Sequence, residues 1–71
     1  MYKLVKVSLT DTKIEFEKYF FYIDNCKNYA KKDAGKNLYW ENKNPDLIIS
    51  KCVFPYNYQI QRFETEDYLD I

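Results

Sequence analysis

Histidine is missing from this 71-residue chain, and there are only one glycine, two prolines, two cysteines and one arginine. Each scarcity removes chemistry. Without histidine the commonest general base and the commonest metal ligand are gone, and no Ser/His/Asp device can be assembled. A single glycine rules out a glycine-rich phosphate loop. It also leaves no glycine-and-aromatic signature of the common RNA-recognition strand. The two cysteines, Cys26 and Cys52, cannot complete a four-ligand zinc site without carboxylates or a second copy of the chain. Both sit in apolar contexts and read as small core residues rather than nucleophiles. With no leader-like segment, a reducing, cytoplasmic setting is expected in preference to a structural disulfide. No apolar run approaches the roughly 18 residues needed to span a bilayer. The expectation is therefore a protein with no catalytic residues, no cofactor, no metal and no membrane span.

Charge excludes less. Eleven Lys and Arg balance eleven Asp and Glu, which argues against a dedicated DNA binder and equally against an acidic mimic of nucleic acid. The balance is uneven along the chain. Lys27, Lys31, Lys32 and Lys36 lie together, whereas Glu64, Glu66, Asp67 and Asp70 crowd the end.

What the chain has in plenty is rings: eight Tyr, five Phe and one Trp. Lys, Asn, Ile, Tyr and Phe together make up 35 of the 71 residues, and their codons are A/T-rich. In composition alone the chain resembles small proteins of phages and low-GC bacteria, which often act by occupying a surface on a larger host protein. No specific motif carries that likeness.

A chain of this length is expected to form one domain over residues 1–71, with residues 65–71 as an acidic tail that turns once under a Thr65 cap. Tyr2 to Leu9 is rich in β-branched residues, with Val5, Val7 and Leu9 on one face and Lys6 and Ser8 on the other: a strand. Thr10-Asp11-Thr12 is turn chemistry. From Lys13 to Gly35 two readings compete. One is a long helix opened by a Thr12/Glu15 capping box. The other is a strand, in which Ile14, Phe16 and Phe20 alternate with Glu15, Glu17 and Tyr19, passing into a helix near Ile23 or Asp24. The five consecutive residues Tyr19 to Ile23 would encircle a single helix with rings, so the strand-then-helix reading is preferred. Asp24 is a candidate N-cap, and the helix would turn Ile23, Cys26, Tyr29 and Ala30 inward. Gly35 stands where a helix end needs the left-handed conformation.

Beyond the helix, Asn37–Asn42 reads as a short strand and Lys43–Asp46 as a turn. Leu47–Phe54 reads as a buried strand, interrupted by Pro55. Tyr56–Glu64 alternates as a last strand. The order is ββαβββ: an α+β domain with a mostly antiparallel sheet of four to five strands and one helix packed on one face.

Three constellations could carry function. Tyr56, Tyr58 and Ile60 line one strand face, with Tyr39 on a neighbour and Arg62 farther along. This face is either an interaction surface or the side covered by the helix. The lysines at 27, 31, 32 and 36, with Arg62, are candidate phosphate contacts or an ordinary solvated helix face; Lys27 and Lys31 share a face by their spacing. Glu15 and Glu17, approached by Glu64, Glu66 and Asp67, would serve as an acid–base pair or a cation site only if a cleft shaped them. The leading expectation is a non-enzymatic protein-binding module, an inhibitor or adaptor from a phage or mobile element, with Tyr39, Tyr56, Tyr58 and Arg62 at the interface. The alternatives are a single-strand nucleic-acid binder using the same rings with Lys27 and Lys31, and a homodimer formed through a strand edge.

Overall fold

The computed structural model describes residues 1–50 and 55–64. The period-two stretches become strands β1 (Tyr2–Ser8) and β2 (Ile14–Phe20), followed by helix α1 (Ile23–Ala34). The strands β3 (Trp40–Asn44), β4 (Leu47–Ser50) and β5 (Tyr56–Arg62) complete the described elements. All pairings are antiparallel and the sheet runs β2-β1-β5-β4-β3, so the β-branched strand β1 lies between its neighbours β2 and β5. The strand-then-helix reading of the second segment and the ββαβββ order both hold.

Paired residues share a sheet face, so the register sorts the side chains. Tyr2, Leu4, Lys6 and Ser8 of β1 stand opposite Arg62, Ile60, Tyr58 and Tyr56 of β5. On the other flank Tyr2, Leu4 and Lys6 stand opposite Phe20, Lys18 and Phe16 of β2. This is the face that α1 covers. Leu4, Cys26, Ala30, Tyr58 and Ile60 form the fully buried centre, with Phe16, Phe20, Tyr29, Trp40 and Ile48 packed around it. Cys26 and Ala30, one turn apart, are small enough to bring the helix axis close to the sheet, and the rings fill the flanks. Cys26 is a free thiol there, and burial pushes its pKa up to about 11, as suits a core residue.

Several boundaries differ from the sequence reading. The N-cap position belongs to Tyr22, with extended backbone and no side-chain cap bond; Asp24 lies inside the first turn. The third strand spans Trp40–Asn44 rather than Asn37–Asn42, because Asn44 accepts the Asp46 N–H at 2.8 Å and shortens the reversal to Pro45-Asp46. Tyr39 therefore precedes the strand. Of the expected strand Leu47–Phe54, Leu47–Ser50 is strand and the remainder, with Cys52, lies outside the described residues. So do the tail 65–71 and its Thr65 cap. Ser50 has a role that periodicity could not reveal: its buried hydroxyl accepts the Tyr58 N–H at 3.0 Å, at the residue beyond the last backbone pair of β4 with β5.

Among the described residues, Gly35 and Thr12 adopt left-handed backbone. Gly35 ends α1 at φ 73°, its N–H donating to the Lys31 carbonyl, as its position in the sequence implied. Thr12, in the β1–β2 turn, does so at φ 58° with a branched Cβ. Opposite outcomes are expected at the two sites. A Cβ at Gly35 meets no atom, so Gly35→Ala should lose only the conformational term, about 1 kcal/mol. Thr12→Asn should gain a fraction of that, since Asn tolerates the left-handed region. Urea denaturation of both variants tests the pair.

Candidate functional site

The most constructed polar feature lies where the last turns of α1 cross β1 and β5. Asp33 projects from the helix so that its Oδ2 accepts from the Lys6 ammonium at 2.8 Å and from the Tyr58 hydroxyl at 2.5 Å. Lys6 is on the covered face because the register requires it. Its alkyl stem runs along the core while Nζ sits 4.1 Å from the Tyr56 ring centroid, with the Tyr58 and Phe16 rings farther off.

The charge states follow from these contacts. Burial alone would lower the Lys6 ammonium, but the Asp33 hydrogen bond and the surrounding charges raise it above its ordinary value. Asp33 is held below the usual carboxylate range by its hydrogen bonds from Lys6 and then Tyr58. Burial, and then the Asp33 bond, push the Tyr58 phenol up to about 12. At neutral pH each group stays in the form its partner needs: ammonium, carboxylate, phenol. No group in the cluster is poised to exchange a proton near pH 7, and the arrangement fastens helix to sheet.

The sequence-predicted interface residues are dispersed. Tyr58 is 1% exposed beneath α1, so its expected place on an open interface is corrected: the alternation put it on the covered side. Tyr56 is half-buried under Lys6. Arg62 is exposed at the far end of β5, about 20 Å along the strand from Tyr56, with only a loose 3.7 Å pair to Glu64. Tyr39 is 72% exposed but lies just ahead of β3, at the opposite sheet edge from β2. Lys31 is exposed and Lys27 half-buried on α1. Among the described residues no acidic cluster able to hold a metal ion forms, a bulge leaves Glu15 without a partner in register, and Glu66 and Asp67 lie outside the described residues.

The residues sequence reasoning missed are at the other end of the Tyr19–Ile23 run. Among the described residues, four of the six large apolar side chains exposed to solvent are Ile14, Tyr19, Phe21 and Tyr22, all on β2 or its exit. Phe21 and Tyr22 are about 70% exposed in the two-residue link from β2 to α1. Five consecutive apolar residues cannot all face one core, and that run was the available signal. Comparisons with protein-family models, curated proteins and solved structures return no match to this chain. Among the described residues, no helix is long and apolar enough to cross a membrane.

Removing the shared acceptor tests the cluster. Asp33→Asn should lower stability by about 1–1.5 kcal/mol, the low end for charge-assisted bonds because the Asp33 side chain is 29% exposed. The native Asp33 value is depressed, so its contribution is complete above about pH 5 and is lost as pH falls through the folded value. The gap in melting temperature between wild type and Asp33→Asn should therefore be full at neutral pH and narrow progressively as pH falls below about 5. The raised Tyr58 value adds a loss at the alkaline end, growing as pH climbs from 10 toward about 12.

Proposed function

We propose that this chain is a non-enzymatic protein-binding module of the reducing cytoplasm, an adaptor or inhibitor whose β2 edge and the rings at its exit engage a larger protein. The observation that carries this reading is the Phe21-Tyr22 pair. Two large rings are held in solvent at the exit of β2, the outer strand of the sheet among the described residues, and an outer strand can accept an added one. Tyr22 also occupies an N-cap position, where Ser, Thr, Asp or Asn would satisfy an orphan helix N–H and Tyr does not. A residue that forgoes local stability while exposing a ring fits selection for contact rather than for folding.

A strand from a different protein suits this edge better than a second copy. A two-fold copy paired antiparallel through β2 opposes residues whose numbers sum to an even value. Centred on Glu17, it sets Glu17 against itself; centred on Lys18, it sets Lys18 against itself; centred on Phe16, it sets Glu15 against Glu17; registers that avoid like charges, such as that centred on Tyr19, pair at most three residues of β2. Each like-charge pair costs about 0.2–1 kcal/mol. A foreign strand need not oppose like charges.

Tyr22→Ser separates binding from folding. It should raise stability by about 0.5–1 kcal/mol by supplying the missing cap. Combined with Phe21→Ser, it should abolish nuclease-resistant capture of a stoichiometric protein from lysate of a low-GC bacterium, with Tyr39→Ser retaining that capture. A partner held equally by the double variant would refute the site, and a concentration-dependent dimer in sedimentation would favour the second copy.

A further inference from the structure

We propose that the lysine-lined groove at the C-terminal end of α1, with the ring-walled hollow beside it, binds the phosphodiester backbone of a single-stranded nucleic acid. The groove is an open concavity of about 590 Å³, lined by Lys31, Lys32 and Lys36 and by the Asn28 and Asn37 amides around Gly35. A second hollow of about 210 Å³ adjoins it through Lys32, and Tyr29 forms its wall. Three lysines thus line the groove, and Lys32 also lines the second hollow.

The carbonyl end of α1 offsets part of their charge, but acidic side chains do not. Among the described residues, ion pairs engage Lys6, Lys43 and Arg62, but none of Lys31, Lys32 or Lys36. Asp33, which lines the second hollow with Tyr29 and Lys32, already serves Lys6 and Tyr58 through one oxygen. Beyond the Gly35 cap, the backbone N–H groups of Lys36 and Asn37 have no backbone acceptor among the described residues. Ammonium groups, amide donors and backbone N–H groups make a set that holds anionic oxygens. The aromatic wall beside them favours a nucleic-acid strand over an acidic peptide, since stacking surfaces next to a cationic track are how single strands are held. The residues differ from those of the protein-binding reading, so each stands or falls separately.

The test is fluorescence anisotropy of a labelled oligothymidine of about 12 nucleotides, titrated with the intact chain between about 50 and 200 mM salt. Three phosphate contacts predict a slope near −2 for log affinity against log salt. The triple variant Lys31→Ala/Lys32→Ala/Lys36→Ala should bind at least about tenfold more weakly at the low-salt end. A charge-matched control, Lys3→Ala/Lys13→Ala/Lys43→Ala, should stay within about threefold of wild type. Equal losses in both variants would reduce the effect to net charge and overturn the site. Absence of wild-type binding would overturn it as well. Displacement by polyglutamate or inorganic phosphate at matched charge would overturn the assignment to a nucleic-acid strand.

Discussion

A helix of twelve residues is about 18 Å long, and a sheet of five strands is about as wide. One such helix can cover one face of the sheet, and in a chain this small that single layer must supply nearly all the apolar burial. The seating of Cys26 and Ala30 on Leu4, Tyr58 and Ile60 is therefore the contact on which the rest depends. It decides which face of every strand is interior. Among the described residues no second layer covers the other face, where Val5 is buried between its in-register neighbours Glu17 and Gln59.

The same seating explains the polar cluster. Once the helix lies over β1 and β5, Lys6 is committed to the covered face, and an unpaired ammonium there would be costly. Asp33 answers it from the last turns of the helix, and the Tyr58 hydroxyl, brought beneath the helix by the β5 register, finds the same oxygen. What could pass for an acid–base triad is a means of making a lysine and a tyrosine acceptable at the margin of a small core. Its protonation states, all displaced away from neutrality, agree with that role. The cost of the arrangement falls elsewhere: rings excluded from the helix-covered face accumulate at the β2 exit, and lysines without an ion pair among the described residues accumulate around Gly35.

Much of this fold was legible because local physics wrote it. Alternation marked β1, β2 and β5, the Tyr19–Ile23 run was too broad for one helix, and Gly35 announced the helix end. The cap and the third strand were misplaced for equally local reasons. Asp24 has capping chemistry, but the backbone turned helical one residue earlier, at Ile23. Trp40 and Leu38 suggested a strand from Asn37, yet the Asn44 side chain tightened the following reversal and let the strand run later. The candidate site was less legible. Alternation says that Tyr56, Tyr58 and Ile60 share a face but is silent on which face meets the helix.

The sequence by itself determined the element order, the chemistry that is missing, and the left-handed end of α1, because each depends on residue type and spacing alone. Tertiary structure decided that Tyr58 is core, that Lys6 is partnered by a residue 27 positions away, and that Phe21 and Tyr22 remain in water. Those outcomes depend on strand order and on the side the helix takes. Both are set by the total apolar area that can be buried at once, a quantity no single segment carries.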